Sequence, residues 1–144
     1  MEQQVFGGQP APVRPARSLW SAMGKGFRCK CPNCGQGKLF SAFVKTVERC
    51  GHCDEELYHH RADDLPAYLV LVIVGHIVVG SFMGVEATST LAMWQHLAIW
   101  VPLTIIASIA LLQPVKGSVV GLQWANYMHG FGGEGDLIET HPEA

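Results

Sequence analysis

Five cysteines are the residues of this chain best suited to chemistry, and four of them fall into pairs. Cys31-Pro-Asn-Cys34 and Cys50-Gly-His-Cys53 form a C-x2-C-x15-C-x2-C pattern. That spacing is one in which four thiolates close a tetrahedron around zinc, each sulfur about 2.3 Å from the metal. Gly35, Gly37 and Gly51 flank the pairs, where tight turns that aim backbone amides at sulfur call for glycine. The competing chemistry is a disulfide or a dithiol redox couple, but no βαβ pattern of a thioredoxin-like fold surrounds either pair. A module spanning residues 29–62 is too small for a self-sufficient core, so one structural zinc per chain would supply much of its folding energy. Cys29 is left over, either as a spare thiol or as half of a Cys29/Cys31 copper clip. His52 lies inside the second pair, where four sulfurs already complete the set.

A second group of candidates lies in apolar sequence. His76 sits midway along one apolar stretch, His96 near the start of the next, and Glu86 between them. Two imidazoles and a carboxylate at similar depth suit copper or haem ligation, proton relay, or simple hydrogen bonding between helices. Gly80 and Gly84 form a G-x-x-x-G pair with Gly75 nearby, which permits close helix approach within the chain or to another protein. No nucleophile with its base, phosphate-binding loop or pair of catalytic carboxylates is recognisable, and a non-enzymatic role is expected.

The elements that must carry these groups follow from hydropathy and charge. Leu65–Val85 is 21 residues without a formal charge, and a second apolar stretch runs from Leu91 to about Leu112. About 20 apolar residues at 1.5 Å each cross a hydrocarbon core of roughly 30 Å. The five-residue link "EATST" makes the two spans an antiparallel hairpin. Asp63 and Asp64 offer oxygens at the start of the first helix, Pro66 fits its first turn, and Pro102 should kink the second helix. Tyr68 and Trp94 are suited to the two membrane interfaces.

Nine of the ten Lys and Arg precede residue 62, and the tenth is Lys116. The positive-inside rule therefore places both termini in the cytoplasm, where cysteines stay reduced. The N-terminal residues have no apolar run of a secretory signal. Residues 1–28 read as a disordered tail containing Arg14 and Arg17, with "SLWSAMGKGF" either a short interfacial helix or a lead into the cysteines. "KLFSAFVKTVER" suits a β-hairpin between the pairs. The spacing predicts a helix after Pro114, with Val119, Leu122 and Met128 toward the inner membrane surface, and then a frayed polar tail. His59 and His60 should lie exposed at the base of the head. The domain order is thus tail (1–28), zinc-ribbon-like β module (29–62), transmembrane hairpin (63–114) and interfacial segment with tail (115–144). Residues 29–61 carry five basic against four acidic side chains, too even a balance for a nucleic-acid face.

"CPNCGQGKLF", "CGHC", Asp63-Asp64-Leu-Pro-Ala-Tyr opening one span and "LQPVKG" closing the other resemble the small bacterial DUF983 family over about residues 25–130. The resemblance implies a two-span inner-membrane protein with a zinc-ribbon-like head whose ligands are Cys31, Cys34, Cys50 and Cys53. It further implies an accessory role beside a haem-copper oxidase subunit or assembly factor. The expected protein docks its head on a membrane partner. Copper or metal delivery through Cys29/Cys31 or His76/His96, and a membrane-bound thiol oxidoreductase, are the alternatives.

Overall fold

The computed structural model describes residues 14–62 and 64–132. Three helices dominate: α1 (Leu19–Phe27), α2 (Leu65–Thr88) and α3 (Met93–Ala125). A short 3-10 turn, Met128–Gly130, follows α3.

Ser18 starts α1, its hydroxyl accepting from the Ser21 amide. The helix ends in a Schellman motif, with the Lys30 amide donating to the Lys25 carbonyl and the Cys29 amide to that of Gly26. The left-handed position is taken by Cys29, at φ 59°, where glycine is the usual residue. Residues 29–62 then make three successive turns, each closed by one antiparallel bridge: Lys30 with Lys38, Phe40 with Thr46, and Arg49 with Glu56. The middle turn is the expected hairpin, with Ser41 and Val47 amides donating to the Lys45 and Leu39 carbonyls. No strand forms among the described residues, so the expected β module is a set of turns. The physical reason is length: the cysteine turns occupy both flanks, and the arms left between them are too short for a ladder.

Helices α2 and α3, 24 and 33 residues long, are both long and apolar enough to cross a membrane. Only 11% and 6% of their most apolar stretches are buried within the protein, which separates them from the core helices of a soluble fold. Their contact is a narrow seam of Val70, Val74 and Val115, flanked by Ala107, Leu111 and Leu112. Tyr68 and Trp94 face outward. Asp64 precedes α2 without a capping hydrogen bond from its side chain, and Asp63 lies outside the described residues.

The clearest departure from the sequence reading is at Pro114. The expected separate helix on the membrane surface is absent; α3 runs through both Pro102 and Pro114 to Ala125. An interior proline costs about 3 kcal/mol of helix stability. The packing beyond it offsets that cost. Val119, Val120 and Trp124 enter one core with Ala22, Leu39, Phe40, Leu57 and Phe131. Helix α1 crosses this part of α3 antiparallel, at two small-residue steps. A Cβ on Gly26 would collide with the backbone of Gly117, and one on Gly121 with that of Ala22. The four residues form Ala-x3-Gly on α1 and Gly-x3-Gly on α3, a pattern present in the sequence and easily passed over beside the longer apolar runs.

Three side chains of α3 also bond the backbone around the cysteine turns and the entry to α2. Lys116 Nζ donates to the Val44 carbonyl at 2.7 Å. Buried Gln123 both accepts from the Arg61 amide (3.1 Å) and donates to its carbonyl (2.6 Å). The third, Trp124, belongs to the site described next.

Candidate metal centre

The two cysteine turns are built alike. The Gly35 amide donates to the Cys31 carbonyl at 2.9 Å, and the Asp54 amide donates to the Cys50 carbonyl at 2.9 Å. The residue after the second cysteine of each turn is left-handed: Gly35 at φ 72° and Asp54 at φ 56°. Asp tolerates that region better than most side chains. Gly37 is required for another reason, since a Cβ there would collide with Cys50 Sγ. Gly51, expected to serve a tight turn, has open space around it and no positive φ; Asp54 takes that duty.

These turns bring the Sγ atoms of Cys31, Cys34, Cys50 and Cys53 within 4.8 Å of one another. The shortest crossings are Cys34 to Cys50 at 3.7 Å and Cys31 to Cys53 at 3.8 Å. Sulfurs about 2.3 Å from a central tetrahedral ion would stand about 3.8 Å apart. A disulfide would need about 2.05 Å, and all five cysteines are free. The four sulfurs therefore fit a metal ion.

The electrostatics agree. Amides of Gly37 and Gln36 point at Cys34 and hold its thiol down to about 6. Burial pushes the Cys31 and Cys53 thiols up, although backbone amides oppose it in both cases. Buried sulfurs that resist ionising beside one another are stabilised as thiolates when a divalent cation supplies the missing charge.

Around the sulfurs lies a polar shell that sequence reasoning missed. Asn33 Nδ2 sits 3.9 Å from Cys53 Sγ and donates to Glu55 Oε2 at 2.9 Å. Glu55 Oε1 accepts from Trp124 Nε1 at 2.8 Å. Arg17, placed by sequence in a disordered tail, is clamped between the Trp124 and Tyr127 rings, 4.0 Å from each centroid. Its guanidinium also donates to the Trp124 carbonyl at 2.7 Å. Lys25 holds the other turn, donating to the Asn33 carbonyl at 2.9 Å. Residues so far apart in the chain carry no local signal of partnership.

The remaining candidates stay apart from the sulfurs. Cys29 lies outside the four-sulfur group, its Sγ 4.0 Å from the Phe27 carbonyl and its thiol pushed up by burial. His52 is exposed. His59 and His60 are half-buried, against expectation. His60 bridges the Leu57 carbonyl (2.7 Å) and Thr46 Oγ1 (3.0 Å), and His59 pairs with Glu56 at 3.3 Å.

Within the hairpin, His96 is buried, with Nε2 2.9 Å from Glu86 Oε2 and Phe82 edge-on at 5.2 Å. His76 does not join them. It is exposed, and its Nδ1 donates to the Val72 carbonyl one turn back at 2.7 Å. Among the described residues, the four cysteines form the one cluster of three or more ligand-type side chains close enough to share an ion.

The profile of a protein family described as "Protein of unknown function (DUF983)" matches residues 40–124, which takes in the second cysteine pair and both long helices. This span is narrower than the resemblance seen in the sequence and leaves the first pair outside it. Comparison with curated proteins and with solved structures finds no match.

Proposed function

The chain belongs to the DUF983 family, and we propose that it is a two-span inner-membrane accessory protein whose head is stapled by one structural zinc and which docks on another membrane protein. Both termini lie in the cytoplasm on this reading, because the basic residues gather at that end of the hairpin. Zinc suits a closed set of four sulfurs with no open position, which favours a structural over a catalytic or carrier role.

The outward face of α2 carries the docking reading. His76, Gly80 and Gly84 recur every four residues on one stripe, and a Cβ at either glycine would meet nothing within 4 Å. The G-x-x-x-G pair is therefore unused inside the hairpin. Exposed His76 has one nitrogen spent on its own helix, and its other nitrogen faces hydrocarbon unless a partner covers it. Leaving such a group to lipid is costly, and glycines beside it allow a second helix to come close. A haem-copper oxidase subunit or assembly factor is the partner that the family resemblance suggests.

A photo-crosslinking amino acid at Val79, in native membranes, tests this. Capture of one membrane protein from Val79, but not from Ile105 on α3, is the expected result. Equal, diffuse labelling from both positions overturns the docking face.

A further inference from the structure

We propose that the neck between head and hairpin binds the phosphate of an anionic phospholipid through Arg28, Lys30 and Lys38. These three side chains line a cavity of about 380 Å³, with Gln36, Phe40 and Gln113 completing its wall and no acidic residue among the lining. Most other cations of the head are occupied within the protein: Arg17 beside Glu55, Arg49 on Asp54 and Glu56, and Lys25 and Lys116 on carbonyls. Among the described residues, the charged ends of Arg28, Lys30 and Lys38 have no ion pair or hydrogen bond. Glu55, Glu56 and Asp54 gather instead at the second cysteine turn and are spent there. Three cations converging without a counter-charge create a local potential that an anion relieves.

Depth identifies the anion, given the membrane reading above. Gln113 directly follows Leu112, where the apolar run of α3 ends. Because α1 is antiparallel to α3, with Gly26 against Gly117, its last residues Phe27 and Arg28 lie at that same level. The Lys116 bond to Val44 brings the Phe43 turn there too. Phe27 and Phe43 are 52% and 50% exposed, the position of aromatic residues that sit between headgroups and acyl chains. The pocket thus combines cations at headgroup depth with apolar rings beside them. That is the chemistry of a phospholipid phosphate with its attached chains, and Arg offers it paired donors.

The test uses purified full-length protein in phosphatidylcholine nanodiscs containing a minor share of phosphatidylglycerol, followed by native mass spectrometry. Wild type should retain phosphatidylglycerol in preference to phosphatidylcholine. The triple variant Arg28→Gln, Lys30→Gln, Lys38→Gln should retain at least about tenfold less, while Lys45→Gln, outside the pocket, should match wild type. Metal content reports the folding of the variants, and Lys38→Gln alone, which leaves α1 untouched, should still lower retention. Equal retention of the two lipids, unchanged retention in the variants, or displacement by inorganic phosphate alone would overturn the proposal. Alkaline carbonate extraction of cell membranes is read separately. Protein released by carbonate sinks the membrane reading and the pocket together, whereas membrane-retained protein without lipid preference sinks the pocket only.

Discussion

Trp124 donates its indole N–H to Glu55 at 2.8 Å, tying the last turn of α3 to the residue two positions past the second cysteine turn. The same carboxylate accepts from Asn33 in the first turn, and Arg17 stacks on the Trp124 ring. One aromatic side chain thereby connects a long apolar helix, both halves of the sulfur site and the N-terminal approach to α1. Trp124→Phe keeps the ring but deletes the donor. It should destabilise the head by about 1–2 kcal/mol, with roughly tenfold faster proteolysis of the head, measured on membranes with an added protease. Unchanged proteolysis would show that the link is incidental.

Gly37 and Gly51 separate a required glycine from a dispensable one. A methyl group at Gly37 meets Cys50 Sγ, so Gly37→Ala should displace that sulfur and abolish stoichiometric metal. Gly51→Ala, with open space around it, should keep the metal. Metal analysis of the two purified variants decides the matter; equal metal in both contradicts the packing.

Cys29 and the four clustered sulfurs should part company by mutation. Cys34→Ser or Cys50→Ser should lose zinc, since three thiolates leave the tetrahedron incomplete. Cys29→Gly should retain zinc and raise stability by about 0.5–1 kcal/mol, because glycine adopts the left-handed helix terminus without the Cβ penalty. Zinc loss in Cys29→Gly would return that thiol to the ligand set.

Orientation is open to a reporter. A phosphatase active only in the periplasm should be active when inserted at Thr90, in the turn between α2 and α3, and inactive when fused after Gly133. Activity after Gly133 would invert the protein and place its cysteines in an oxidising compartment.

His96 and His76 should respond differently. His96 is buried against Glu86 and Phe82, so His96→Ala should lower accumulation of the protein in membranes, whereas His96→Gln should cost only about 0.6 kcal/mol. Neither change should remove a haem absorption band or bound copper, since His76 lies apart from the pair. A haem band in wild type that vanishes in His76→Gln would assign these residues to cofactor binding.

The parts of this protein that depend on local chemistry were legible in its sequence. Two apolar stretches announce two membrane-length helices, because hydropathy is a sum over neighbours along the chain. Two C-x2-C pairs announce a four-sulfur site, because each pair fits one turn whose shape depends on four or five consecutive residues. Tertiary structure decided the rest. Pro114 should have ended α3 on local rules, yet burial of Val119, Val120 and Trp124 and the bonds from Lys116 and Gln123 carry the helix onward. The hairpin between the pairs stopped at isolated bridges, and Asp54 rather than Gly51 took the left-handed turn. His76 and His96, at matching depths, were kept apart by the rotation of each helix about its axis, which no count of residues from the loop specifies. Arg17 became ordered only because Trp124 and Tyr127, more than a hundred residues later, close around it. Such contacts depend on which surfaces the fold brings together, and their free energy exists only once it has done so.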